Sequence, residues 1–234
     1  MRRFIALILV IALSGVFLFS CKEDKTDKYG VGACDYASER DNTNRIVTYV
    51  EMCVYDYGKV VFCLDYTAAP KTVRQFVGLV NDGYYSEPNE TTDHVVGNRI
   101  HGLVPGSHIQ AGCHEGDGSG TISLKVEGEF SDNGYYKNDL SHRRGVISFA
   151  RESADYDSGS CQFFICYEDM TDLDGSYAPF GYVVEGMSVI DEIMDTLYQY
   201  SDTETCLIEE EYQPRIKYIK LYEDWPSERG NINK

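Results

Sequence analysis

The residues best equipped for chemistry lie in two stretches of this 234-residue chain. The first is Ile100-His101-Gly102-Leu103-Val104-Pro105-Gly106-Ser107-His108-Ile109-Gln110-Ala111-Gly112, followed at once by Cys113 and His114. The second is Ser160-Cys161-Gln162-Phe163-Phe164-Ile165-Cys166. Downstream of it come Asp172-Leu173-Asp174-Gly175 and Phe180-Gly181-Tyr182-Val183-Val184-Glu185-Gly186-Met187. The imidazoles at 101, 108 and 114 and the Cys113 thiol are donor types suited to zinc, but no Cys-x-x-Cys pair of the kind structural zinc sites use occurs anywhere. No metal and no cofactor is expected. The tyrosine pairs Tyr84-Tyr85 and Tyr135-Tyr136 fall in loops and read as rim packing, amphipathic rings with one wet end.

Elements that position these stretches follow from periodicity. Val50, Met52 and Val54 alternate with Glu51, Cys53 and Tyr55, and Val60, Phe62 and Leu64 alternate likewise, so two strands flank a turn at Asp56-Tyr57-Gly58. Cys53 and Cys63 fall on the same face of that hairpin by alternation, as either a cross-strand bridge or two solvent-side thiols. Pro70 suits a helix's first turn, and Val73, Phe76, Val77 and Val80 keep helical spacing up to Asn81-Asp82-Gly83. Residues 112–120 are glycine-rich loop. Short apolar runs at 145–150, 162–166 and 182–184 read as strands, Met187, Ile190, Ile193 and Met194 as a second helix, and Ile216, Tyr218, Ile219 and Leu221 as a closing strand. Many short strands with two helices predict an antiparallel barrel with helical plugs.

Composition sets the outer bounds. A formal charge of −17 repels phosphate backbones and excludes nucleic acid as a partner. Arg2-Arg3 followed by an apolar run from Phe4 to Phe19 is too short to span a bilayer and reads as a secretory signal over 1–20. Leu18-Phe19-Ser20-Cys21 resembles a bacterial lipoprotein processing box, which implies cleavage before Cys21 and lipid on it, and hence a membrane anchor. Lys22-Glu23-Asp24 resembles an export tag of surface lipoproteins. Residues 21–45 are polar with almost no aliphatics and read as a flexible tether, 46–223 as the folded domain, and 224–234 as a polar tail. The expected location is the bacterial cell envelope, at the outer membrane, on its periplasmic or its exposed side. Seven cysteines besides Cys21 leave at least one thiol unpaired.

Taken together the motifs resemble the cyclophilin-type peptidyl-prolyl isomerases, over about residues 46–222. Ala69-Pro70-Lys71-Thr72-Val73 with Phe76 resembles the family's first helix, and Val126-Glu127-Gly128-Glu129-Phe130, His142-Arg143-Arg144-Gly145 and Ser148-Phe149-Ala150-Arg151 resemble its bacterial branch. The resemblance implies a mainly β fold, a closed eight-stranded antiparallel barrel capped by two α-helices, in a monomer that takes proline-containing polypeptides. The reaction is rotation about the X-Pro bond over a barrier of ~18–20 kcal/mol. In the family an arginine donates to the prolyl nitrogen as the amide twists, favouring the transition state over the ground state. That arginine's position is Gly102 here. Gln110 matches the family's catalytic-site glutamine, Ala150 and Gln162 its peptide-binding positions, and Phe164 and Leu173 two walls of the proline pocket. Ser107 and His108 stand where the pocket has Phe and Met, Asp172 where it has Trp, and Tyr177 at the rim histidine. The implied function is isomerisation of X-Pro bonds in extended or unfolded envelope proteins, weakened by Gly102. The alternative is a non-catalytic module that holds such chains at the membrane. Arg99 lies three residues from Gly102, on the opposite strand face, and is no substitute for the arginine.

Overall fold

The computed structural model describes residues 36–37, 40, 44–88 and 98–222. Within them the signal and lipidation readings, residues 1–20 and Cys21, cannot be placed, because they lie outside the described residues, as does the tail from 223. No helix among the described residues is long and apolar enough to cross a membrane.

Strands β1 (Val47–Val54) and β2 (Gly58–Asp65) form the expected hairpin. Its turn needs left-handed backbone at Asp56 (φ 66°), a conformation that Asp tolerates better than most residues. Helix α1 (Pro70–Asn81) follows, then β3 (Arg99–Val104), β4 (His108–Cys113), β5 (Val146–Phe149), β6 (Phe163–Cys166), β7 (Ala178–Glu185), helix α2 (Met187–Leu197) and β8 (Ile216–Leu221). All eight strands pair antiparallel in one sheet, in the order β3-β4-β6-β5-β7-β2-β1-β8. The sheet curls into a half-barrel with the two helices. Its edges, β3 and β8, meet through one isolated bridge, Arg99 with Arg215, flanked by Ile100 N donating to Pro214 O and Ile216 N donating to Asn98 O (2.9 Å each). A continuous closing ladder is not formed, because β3 spends its other edge groups on the segment after α2. Leu103 N donates to Cys206 O (2.9 Å), and Ile208 N donates to His101 O (2.8 Å).

Helix α1 starts at Pro70, whose missing N–H costs nothing at that position. Ala69 offers no side-chain cap, and the buried Glu129 carboxylate does that work instead. It accepts from Lys71 N (3.0 Å), Thr72 N (2.8 Å) and Thr72 Oγ1 (2.9 Å). A carboxylate there satisfies orphan N–H groups and complements the helix dipole. The segment 126–130 is thereby tied to α1, whose buried face presents Val73, Phe76 and Val80. Phe76 lies 5.0–5.3 Å, ring centre to ring centre, from Tyr85, Phe163 and Phe180. The inner residues of β6 and β7 thus close on one aromatic cluster. Tyr85, read from sequence as loop rim, is fully buried, and its hydroxyl donates to Cys161 O (2.7 Å).

Two further readings are corrected. The register sets Cys53 opposite Lys59 and Cys63 opposite Tyr49, too far out of step for a bridge between them. Cys53 is disulfide-bonded, Cys63 is not, and both are buried rather than solvent-facing. The domain also begins before residue 46. Tyr36 is 8% exposed, packs edge-on against Tyr182 (5.8 Å), and its hydroxyl accepts from Ser141 N (3.1 Å). Arg45 Nε pairs with the fully buried Asp65 (2.6 Å), and both Arg40 and Arg45 pair with Asp139. One aromatic anchor and two arginines dock a stretch that its polar composition marked as tether.

Candidate functional site

Residues directly opposite one another in adjacent strands share a face. The register aligns Gly102 with Gln110, Gln110 with Phe164, and Phe164 with Ser148. These four make one rank across β3, β4, β6 and β5. Phe163, one residue along, faces the aromatic cluster instead. The two-residue period of the strand therefore separates core from site.

At the head of the rank, Gly102 is buried and offers no side-chain donor. A Cβ built there would lie 3.1 Å from Gln110 Cβ and 3.6 Å from Cys206 O, tight on one side and ordinary on the other. Gln110 Nε2 donates to Gln162 Oε1 (2.8 Å). Gln162 Nε2 in turn donates to Gly118 O (2.8 Å) and Gly120 O (2.7 Å), which pins the glycine-rich loop to the sheet. Ala150 N donates to Gln162 O (2.9 Å), so Ala150 and Gln162 sit side by side where β5 and β6 diverge. The structure brings Gln110, Gln162 and Ala150 together.

The pocket walls gather on Phe164. The His108 ring lies 5.2 Å from it and Tyr177 meets it edge-on at 5.7 Å. Leu173, in a 3-10 turn over 171–173, is half-buried against the core, while Asp172 beside it is exposed. Ser107 Oγ lies 3.0 Å from His108 Nδ1 and 3.3 Å from Met170 Sδ. Burial pushes the His108 pKa down to about 4, so the imidazole is neutral at physiological pH and forms a polar but uncharged wall.

Beneath Phe164 lies a network to which sequence reasoning gave no role. His142 is fully buried, stacks 5.9 Å from Phe164, and joins Asp174 Oδ1 to Nδ1 (2.7 Å) and Ser148 Oγ to Nε2 (2.9 Å). Burial holds the imidazole neutral against the pull of Asp174. Nδ1–H therefore donates to the carboxylate and Nε2 accepts the Ser148 hydroxyl proton. Ser148 is fully buried, so this Asp-His-Ser chain positions Phe164 rather than attacking anything. The signal available was His142 and Asp174 within the quoted motifs, without anything to pair them.

Two arginines lie near these residues, and each is held by other partners. Arg99 Nη1 is held by Glu210 (3.5 Å), in a depression lined with Glu209, Glu211, Gln213 and Arg215. Arg151 lies over the rings of Tyr177 (4.5 Å) and Tyr156 (4.7 Å) and donates to Ser176 O, Glu152 O and Ser153 O. Its charge is fixed beside Ala150 and the pocket rim, not opposite Gln110. The four residues read as a zinc possibility do not converge: His114 stacks on Tyr84 (4.1 Å), His108 lies tilted against Phe164, and no metal-ligating cluster exists among the described residues.

Residues 49–215 match the family model described as cyclophilin type peptidyl-prolyl cis-trans isomerase/CLD. A peptidyl-prolyl cis-trans isomerase of Helicobacter pylori is 34% identical over 138 residues, 58% of this chain and 74% of that protein. Peptidyl-prolyl cis-trans isomerase B of Bacillus subtilis is 35% identical over 136 residues, 56% of this chain and 80% of that one. Among solved structures, a cyclophilin type isomerase of Cryptosporidium parvum superposes with a TM-score of 0.62 at 25% identity, covering 76% of this chain and 98% of that one. The same enzyme crystallised in the presence of the dipeptide Ala-Pro gives 0.61 at 26% identity, over 74% and 98%. With the match running from β1 to the residue before β8, this chain belongs to the cyclophilin-type peptidyl-prolyl cis-trans isomerases.

Proposed function

We propose that this chain is a lipid-anchored member of the family that holds extended, proline-containing segments of envelope proteins and turns the X-Pro bond more slowly than an arginine-bearing relative. The observation that carries this is the pairing of Gly102 with Gln110. The amides that hold a peptide backbone are in place, and the cation that would stabilise the twisted amide is not. Relatives that share the fold supply the substrate class, since one was crystallised in the presence of Ala-Pro. A second reading, a cleft that binds without turning over, is favoured by the polar Ser107-His108 wall, which gives a proline ring less apolar surface to bury at about 25 cal/mol per Å2. The anchor rests on Leu18-Phe19-Ser20-Cys21.

The test is exchange NMR or a protease-coupled assay on a proline peptide with Gly102→Arg alongside. One oriented donor in a site is worth about 10²–10³ in rate, and the 3.1 Å approach to Gln110 Cβ asks only for a small shift to admit the side chain. A gain on the order of a hundredfold is expected. Wild-type turnover already at the level of the variant would defeat the slow-enzyme reading. Absence of any gain, with peptide binding intact, would favour the binding module.

A further inference from the structure

Cys113 and Cys161 face one another across the end of the β4–β6 ladder, behind the glutamine pair. The last recorded pair is Ala111 with Phe163, and two more antiparallel steps set Cys113 opposite Cys161. The strands stay together past that point. A Cβ on Gly112 would fall 2.7 Å from Gln162 Cα, which is why this residue has φ +99° and no side chain. Residues directly opposite in antiparallel strands have Cα atoms about 4.5–5.5 Å apart, inside the disulfide window of about 4.4–6.8 Å. Both sulfurs also touch one residue, Gly120. Gly120 N donates to Cys113 Sγ (3.2 Å), and Cys161 Sγ approaches Gly120 O (3.9 Å). Both cysteines are free and fully buried.

We propose that Cys113 and Cys161 are a disulfide-forming pair whose oxidation resets the Gln162–Gln110 amides. Gly120 O is one of two carbonyls that hold Gln162 Nε2, so the two thiols and Gln162 share one loop residue, and Gln162 Oε1 in turn holds Gln110. In the reduced state Cys113 Sγ lies 3.6 Å from Glu115 Oε2 and 3.8 Å from Asp117 Oδ1, two exposed residues of that loop, so opening of the loop uncovers this sulfur. Burial raises the pKa of Cys161, which suits it to the second, resolving step. The co-reactant is a small-molecule disulfide such as oxidised glutathione. The Cys113 thiolate attacks one of its sulfurs and expels one thiolate. Cys161, deprotonated, then attacks Cys113 Sγ and expels the second. The chain loses two protons and two electrons, and the small disulfide is reduced to two thiols. Gly120 N then loses its sulfur acceptor, the 113–120 loop relaxes, and the anchor of Gln162 moves.

The consequence for the cleft rests on the peptide-holding reading above, whereas formation of the bond does not. The full chain is equilibrated natively in glutathione buffers from reducing to oxidising, alkylated, and mapped by mass spectrometry. A linked 113–161 peptide appears as the buffer becomes oxidising, and the affinity for an Ala-Pro peptide falls severalfold in step with it. In Cys113→Ser and in Cys161→Ala the affinity no longer depends on the buffer. Two alkylatable thiols at 113 and 161 under oxidising conditions, or a link from either one to another cysteine, overturns the pair. A 113–161 link with unchanged affinity, or with unchanged side-chain amide signals of Gln110 and Gln162, overturns the coupling while leaving the pair standing. Affinity too weak to measure in either state, with those amide signals shifting on oxidation, counts against the peptide-holding reading and supports the coupling.

Discussion

Phe163 and Phe164 are chain neighbours on opposite faces of β6, and the two faces are built on different principles. Phe163 enters a cluster with Phe76 and Tyr85 in which size and shape decide everything. Phe164 sits in a polar setting, stacked on a neutral His142, tilted against His108 and edge-on to Tyr177. On the inner face a change of volume leaves a cavity or a clash and costs stability. The outer face is organised by side-chain hydrogen bonds, from Gln110 through Gln162 to the carbonyls of Gly118 and Gly120. The difference teaches that the inner face makes the chain a family member, and the outer face sets what it does with a peptide.

The comparison breaks most visibly from the inside. Phe76→Ala removes the ring shared by α1, β6 and β7 and leaves a cavity where three aromatic partners stood. A loss of about 3–5 kcal/mol is expected from transfer and cavity terms. Denaturant titration measures it through the midpoint at constant slope. Activity per folded molecule stays at the wild-type value, because Phe76 has no contact with the outer rank. A fall in activity per folded molecule would mean the two faces are not separate.

Acid probes the outer face. Burial holds His108 at about 4 and also depresses His101 and His142 below the ordinary value near 6.5. The unfolded chain therefore binds more protons between those limits. Stability is full above about pH 6.5 and declines as the pH falls toward 4, with His108 alone accounting for on the order of 3 kcal/mol. Midpoints measured from pH 7 to 4 show the decline, and His108→Met flattens part of it. An identical slope in that variant would take His108 out of the account.

Legibility in the sequence followed the same division. Pro70, Phe76 and the Asn81-Asp82-Gly83 stop carried helix α1 to its observed bounds, because helical period and capping are local signals. The candidate cleft residues came from the motifs, and the register places Gln110, Gln162, Ala150 and Phe164 near one another. What escaped depends on partners distant in sequence. His142 meets Asp174 across 32 residues, Glu129 caps a helix 57 residues away, and Tyr36 reaches Ser141 across 105. Nothing in a local window distinguishes such a residue from a solvated one. The two cysteines of the first hairpin failed for a simpler reason: alternation gives the face, while a bridge needs the register as well.

The subtlest test separates two ways of losing the glutamine pair. Gln110→Ala deletes one donor and leaves Gln162 Oε1 without its partner, a cost of about 1 kcal/mol in stability and a comparable loss in peptide affinity. Gln110→Glu keeps the size but presents only acceptors to Gln162 Oε1. To meet them Gln162 must turn its amide over, which points Oε1 at the carbonyls of Gly118 and Gly120 and breaks both anchors of the loop. The conservative-looking change is therefore the more damaging of the two. Peptide affinity falls further in Gln110→Glu than in Gln110→Ala, and amide hydrogen exchange in 113–120 accelerates only in the former. Equal behaviour of the two variants would show that Gln110 acts on the peptide alone and that the loop does not depend on which way Gln162 faces.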